Sequence, residues 1–123
     1  MNRAKVFAFP SNLEALPLVV LEAMTCGVPV VCTSLPPGPE IIEDGMTGLL
    51  ADPSSPSDFA KKIERVLNDP EIACRIVENA RKVVAERFSL ERCISETERF
   101  YEECVAARGK VQGKDFEVAS YSR

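Results

Sequence analysis

The sequence predicts an α/β fold: half of a Rossmann-like, doubly wound parallel sheet of about three strands, followed by C-terminal helices. Short apolar runs at residues 4–9, 28–33 and 48–51 lack polar alternation, which is typical of strands covered on both faces. A helical segment joins the first two runs into a βαβ unit, whose strands are parallel and whose crossover is almost always right-handed. Three longer segments with helical periodicity follow the last run.

Length and composition suit one domain, predicted over residues 1–108, with a flexible tail over 109–123 where periodicity is lost. The formal net charge of -4 does not suit a phosphate backbone, so nucleic acid is not an expected partner. The chain has no histidine, and any chemistry would therefore fall to carboxylates or backbone dipoles. No apolar run reaches the roughly 18 residues of a membrane span, which predicts a soluble chain.

The five cysteines form no CxxC pair and have no histidine to complete a zinc set. We expect them to be reduced, which predicts a cytoplasmic protein and no metal site. Four of them stand in apolar helix or strand surroundings and should behave as small hydrophobes: Cys26, Cys32, Cys93 and Cys104.

Helix boundaries are marked by local signals. A helix is predicted over 18–26, started by Pro17 and ended by Gly27 in the left-handed conformation, and a short one over 39–43. The three later helices are predicted to begin at caps, namely Ser55 with Asp58 in a Ser-x-x-Asp box, Asp69, and Ser89. Their predicted buried stripes are Phe59, Ile63, Val66 and Leu67, then Ile72, Ile76, Ala80, Val83 and Val84, then Cys93, Ile94, Thr97, Tyr101 and Cys104.

Glu22 is the one charged residue between positions 15 and 39, and it falls in a helix that looks too apolar to face water on any side. A buried carboxylate needs hydrogen-bond donors, which either protein groups or ligand hydroxyls would supply. Glu14 lies eight residues earlier, in the loop before that helix, where it is either a solvated loop residue or part of the same site. The helix start between the two carboxylates favours an anion. A nucleotide sugar, with hydroxyls at both ends and phosphates between, has the matching form.

The segment "EALPLVVLEAMTCGVPVVCT" resembles the Glu-x7-Glu segment of family 4 glycosyltransferases, retaining enzymes with the two Rossmann-like domains of the GT-B fold. The resemblance continues through "PEIIEDGMTGLL" and "ERFS" and covers residues 5–103. It implies that Glu14 is catalytic, contacting the donor sugar and stabilising charge near its anomeric carbon. It assigns the ribose hydroxyls to Glu22, and the sugar and diphosphate to the backbone amides of Leu16, Leu18 and Val19. The resemblance also implies no metal or other cofactor, and it allows peripheral membrane association of the full enzyme.

Some positions depart from the family pattern. Ala15 and Pro17 stand where the family often has glycine, and Pro36 and Pro37 stiffen the second loop and remove two amide donors. Because of these departures, the sequence does not identify the base or the sugar of the donor. The resemblance also covers only the C-terminal part of the donor domain, so we expect a chain that is not competent for catalysis by itself. Its first strand should have an open edge, so we expect a chain that is either marginally stable by itself or associated, with itself or with another chain, through that edge.

Two alternatives to a glycosyltransferase remain at this stage. One is a non-catalytic remnant or interaction module that uses the open strand edge. The other is a flavodoxin-like regulator with a structural Glu22, which would need an acidic phosphate acceptor at the end of the first strand. The sequence disfavours this second alternative, because Pro10, Ser11 and Asn12 occupy that place.

Overall fold

The computed structural model describes residues 3–111, which contain three strands and five helices. The strands form one parallel sheet in the order β1-β2-β3. The strands are β1 (Phe7–Phe9), β2 (Val30–Thr33) and β3 (Leu49–Ala51). The helices are α1 (Leu18–Thr25), α2 (Gly38–Ile41), α3 (Pro56–Asn68), α4 (Pro70–Arg87) and α5 (Leu90–Val111). This architecture confirms the predicted α/β fold, its three parallel strands and each of the predicted helices.

The central strand β2 is buried along its whole length and separates two hydrophobic clusters. Val30 and Cys32 belong to the cluster that contains α1 and α2, whereas Val31 belongs to the cluster that contains Phe59 of α3. Successive side chains of a strand point to opposite faces, so both faces of β2 need an apolar cover. The absence of polar alternation in this strand is therefore explained by helices on both sides of the sheet.

The turn from α1 into β2 follows the predicted glycine cap. Gly27 has a φ of 74°, its N–H donates to the Met24 carbonyl at 3.1 Å, and the Val28 N–H donates to the Ala23 carbonyl at 2.9 Å. This pair of bonds is a Schellman motif. Because the Val28 amide closes the helix, the strand begins at Val30, two residues later than predicted.

The caps of the later helices are confirmed, with one correction. Ser55 accepts from the Asp58 N–H at 3.3 Å, Asp69 accepts from the Ile72 N–H at 3.0 Å, and the Ser89 hydroxyl accepts a hydrogen bond in the first turn of α5. The reciprocal half of the predicted Ser-x-x-Asp box is wrong, because the Asp58 carboxylate accepts from the Asp52 N–H instead, at 3.0 Å. The Ser55 N–H that the box requires donates to the Asp52 carbonyl, at 3.0 Å.

The strands and α1–α4 fall in one compact unit, Met1–Phe88, while α5 belongs to a second, Ser89–Arg123. The predicted stripe of α5 is wrong as a buried surface, since Ile94 and Tyr101 are 49% and 65% exposed. Leu67 in α3 is also exposed, because that helix turns Phe59 and Val66 inward. Helix α5 continues to Val111, and residues 112–123 of the predicted tail lie outside the described residues.

The cysteines are all free thiols, but only one is a core residue. Cys32 is buried, and its burial raises the pKa of the thiol above its ordinary value. The same expectation was wrong for Cys26, Cys93 and Cys104, which are exposed. Cys74, for which no such expectation was made, is exposed as well. Within residues 3–111, no helix is both long and apolar enough to cross a membrane, and no group of three or more cysteine or acidic side chains is placed to hold a metal ion.

Candidate functional site

The candidate site lies at the edge of the sheet where the strands end. The register of β1 and β2 pairs Phe9 with Cys32, so both strands deliver their following loops, residues 10–17 and 34–37, to the same edge. Helix α1 begins directly after the first of these loops. In open parallel sheets this edge is where ligands bind.

The start of α1 presents backbone donors at this edge. Pro17 is the N-cap residue and forms no side-chain cap bond, and its carbonyl accepts from the Val20 N–H at 2.9 Å. The Leu18 N–H donates to the Leu16 carbonyl at 3.0 Å. The amides of Leu16 and Val19 donate to no acceptor within residues 3–111. Two of the three amides predicted to bind the donor therefore keep an unused N–H, and the third is already engaged within the loop.

Glu22 lies on the outer face of α1, and the prediction that it is buried was wrong. The helix contacts the core through Val20, Leu21, Ala23 and Met24, which leaves Glu22 and Leu18, one turn earlier, facing outward. The helix has more apolar residues than its buried face can hold, so Leu18 is 62% exposed.

Both explanations offered for Glu22 assumed that it is buried, and its contacts bear on only one of them, the structural anchor. Its carboxylate accepts no hydrogen bond from any group within residues 3–111, and so it is not a structural anchor of that part of the chain. Water solvates an exposed carboxylate, which therefore needs no hydrogen-bond donor from the protein. It is therefore free to accept hydrogen bonds from a ligand.

Glu14 is exposed in the loop before α1, and it does have a protein partner. The Ser11 hydroxyl donates to Glu14 Oε1 at 3.1 Å. The intervening loop does not pack against the core, since Leu13 is 89% exposed. The sequence carried no signal for this bond, because it depends on how the loop after β1 is folded.

The second loop at this edge is held by close backbone packing. A Cβ on Gly38 would overlap the Thr33 carbonyl oxygen, so no other residue fits there without movement. The Thr33 hydroxyl accepts from the Leu35 N–H at 3.2 Å, and the Ser34 N–H donates to the Ala51 carbonyl at 2.8 Å. Sequence reasoning missed Gly38 and Thr33, which fix where residues 34–37 lie.

A cavity of about 380 Å³ lies at the opposite edge of the sheet. It is lined by residues that precede β1 and β2, such as Lys5 and Pro29, and by Val66 and Cys74 of α3 and α4. None of Glu14, Leu16, Leu18, Val19 or Glu22 contributes to it. The carboxyl edge remains the better candidate, because it holds the open helix start and the exposed carboxylates of Glu14 and Glu22.

Comparisons with known proteins identify the family and the fold of this chain. The profile of the family described as "Glycosyl transferases group 1" matches residues 1–83. An uncharacterized glycosyltransferase of Methanocaldococcus jannaschii is 34% identical over 103 residues, which cover 84% of this chain and 29% of that protein. The chain therefore spans less than a third of the length of this relative.

Solved structures share the fold. Sucrose-phosphate synthase of Thermosynechococcus elongatus superposes with a TM-score of 0.78 at 33% identity, covering 85% of this chain and 26% of the other. HepE of Anabaena, whose structure was solved in complex with UDP-glucose, gives a TM-score of 0.74 at 25% identity and covers 85% of this chain and 28% of its own. The three parallel strands followed by helices match the C-terminal domain of GT-B glycosyltransferases. The chain belongs to the group 1 glycosyltransferase family.

Proposed function

We propose that this chain carries the donor-binding part of a family 4 glycosyltransferase, which moves a sugar from a nucleotide diphosphate sugar to an acceptor with retention of anomeric configuration. The observation that carries the proposal is Glu22, a charged acceptor without a partner among the described residues, on the outer face of the helix that begins at the ligand edge. A carboxylate in this place accepts hydrogen bonds from vicinal hydroxyls such as those of a ribose.

The remaining parts of the donor, the diphosphate and the sugar, are assigned to the other site residues. The unused amides of Leu16 and Val19, with the positive end of the α1 dipole, suit the diphosphate. Leu18 contributes its exposed side chain beside Glu22, while its amide is held by the Leu16 carbonyl. Glu14 contacts hydroxyls of the sugar and stabilises the positive charge that develops near the anomeric carbon as the diphosphate leaves. The proposal assigns no metal and no other cofactor to these residues.

The structural neighbour HepE binds UDP-glucose, which supports a nucleotide sugar as the donor class here. This chain covers only 28% of that protein. We therefore expect the chain alone to bind the nucleotide sugar without transferring the sugar, because the acceptor and the rest of the donor site are held elsewhere in such enzymes.

Calorimetric titration with a panel of UDP-, GDP- and ADP-sugars tests the proposal. We expect saturable binding for one nucleotide class. Replacing Glu22→Ala should weaken it about tenfold or more, since a hydrogen bond to a charged group contributes roughly 1.5 to 3 kcal/mol. The matched control is Glu64→Ala, an exposed glutamate of α3, which should bind as the unaltered chain does. A folded chain that binds none of the panel would contradict donor binding, and unchanged affinity in Glu22→Ala would contradict the role of Glu22.

A second candidate function, self-association, is favoured by the open edge of β1. The Phe7 N–H donates to the Pro29 carbonyl at 2.9 Å, so the next amide, that of Ala8, points away from β2. Ala8 is exposed on the edge of the sheet, and an edge amide of this kind is able to pair with another chain.

Sedimentation velocity on Ala8→Pro tests this second function. Proline removes the outward amide and is tolerated on edge strands. We expect concentration-dependent dimers of the unaltered chain and of Ala8→Ser, and monomers of Ala8→Pro. Dimers that persist in Ala8→Pro would place the contact elsewhere.

A further inference from the structure

We infer that Ser11 is a positioning residue for Glu14, holding its carboxylate ready for the sugar of a nucleotide sugar. This inference rests on the proposed function, because it deepens the role given there to Glu14. The hydrogen bond from the Ser11 hydroxyl to Glu14 Oε1, 3.1 Å long, is the observation that carries it.

Ser11 follows the end of β1 closely, whereas Glu14 lies within an exposed segment of the loop. It lies two residues after Phe9, the last residue of β1, which is paired with Cys32. Ser11 is half-buried, while the residues from Asn12 to Glu14 are exposed. The serine hydroxyl therefore connects an exposed loop carboxylate to a point whose position the sheet determines.

The bond restricts a side chain that would otherwise sample many rotamers. A glutamate that is ordered only when a ligand arrives loses conformational entropy at that moment, which weakens binding. Because Oε1 accepts from Ser11, Oε2 remains available to accept from a sugar hydroxyl. The bond is exposed, so its effect is modest, and we expect a two- to fivefold change in affinity, about that of one weak hydrogen bond.

This role predicts an effect that depends on the sugar. In Ser11→Ala, affinity for the nucleotide sugar should fall about two- to fivefold, and affinity for the nucleotide diphosphate alone should not change. Ser11→Thr keeps the hydroxyl and should restore the affinity. Loss of the loop structure would instead lower the affinity for both ligands, because the same loop carries the Leu16 amide. Asn12→Ala, in the exposed part of the loop, is the control and should bind both ligands normally.

Calorimetry on the whole chain with Glu14→Ala completes a double-mutant cycle. If Ser11 acts through Glu14, adding Ser11→Ala to Glu14→Ala should cause no further loss. A further loss, an equal loss for the nucleotide diphosphate, or no loss in Ser11→Ala would overturn the inference while leaving the proposed function intact. Should Glu14→Ala itself leave sugar-dependent binding unchanged, or should the folded chain bind no nucleotide sugar, the proposed function fails and the inference fails with it.

A measurement on the free chain tests the same inference without any ligand. Three-bond NMR couplings report the χ1 rotamer of Glu14. We expect one dominant rotamer in the unaltered chain and in Ser11→Thr, and averaged couplings in Ser11→Ala. Couplings that are already averaged in the unaltered chain would overturn the inference.

Discussion

The Glu22 side chain is exposed on a helix whose opposite face is fully buried, so its replacement should affect ligand binding and not folding. Glu22→Ala should change the free energy of unfolding by less than about 0.5 kcal/mol, the usual range for an exposed site. Met24→Ala, on the buried face of the same helix, should cost about 2 to 5 kcal/mol because it leaves a cavity. Urea unfolding followed by circular dichroism measures both. A loss in Glu22→Ala as large as that in Met24→Ala would show that Glu22 is buried after all.

Two glycines make a second pair of variants, because each is needed for a different physical reason. Gly38→Ala places a methyl group against the Thr33 carbonyl, and relief requires the backbone of the second loop to move. We expect a loss of about 1 to 3 kcal/mol. Gly45 has a φ of 77° but open space around it, so Gly45→Ala should cost only the backbone strain of about 1 to 2 kcal/mol.

Backbone movement in these variants is measured by amide chemical shifts. Gly38→Ala should shift the amides of Ser34 and Leu35, which are bound to Ala51 and Thr33. Gly45→Ala should leave them in place. An unperturbed second loop in Gly38→Ala would mean that the close approach to Thr33 is relieved in some other way.

At the residue scale, the site was only partly accessible from the sequence. The pattern of charges singled out Glu14 and Glu22, yet it predicted the wrong environment for Glu22. Hydrophobic composition does not say which apolar residues the core has room for, and Leu18 is left outside beside Glu22. The requirement for Gly38 depends on its distance from Thr33, which no local pattern contains.

At the scale of elements, the starts of α3, α4 and α5 are determined by hydrogen bonds to cap side chains, and these starts were predicted correctly. Asp69 ends α3 and caps α4 through its bond to the Ile72 N–H. Asp69→Ala should therefore cost about 0.5 to 2 kcal/mol, and Asp69→Asn, whose side chain caps equally well, should cost much less. Thermal unfolding of the two variants makes the comparison. Equal losses in both would indicate that the charge of Asp69, and not its cap bond, stabilises the junction.

Burial along the elements was harder to predict than their boundaries. A stripe of apolar residues indicates a buried face only where another element packs against it. Ile76 and Ala80 of α4 meet that condition and are buried, but Ile94 and Tyr101 of α5 are exposed. The amphipathic pattern is the same in kind for both helices, so the sequence alone does not distinguish them.

For the whole molecule, the predicted half-sheet with parallel strands is confirmed, because continuous apolar strands joined by a helix leave little choice of topology. The resemblance to glycosyltransferases is confirmed at the level of the group 1 family. Retention, the donor and the roles of Glu14 and Glu22 stay predictions. They concern contacts with a ligand and with the larger part of such enzymes, of which this chain covers less than a third in the relatives compared.

The central claim is that the carboxyl edge of this sheet binds a nucleotide sugar. The most direct test is to titrate an isotopically labelled chain with UDP-glucose and its GDP and ADP counterparts and to map the changes in amide chemical shift. For the nucleotide class that binds, we predict saturable shifts at Leu16, Val19 and Glu22, and none around Cys74 in the cavity at the opposite edge. A folded chain without saturable shifts, or with shifts centred on that cavity, would contradict the claim.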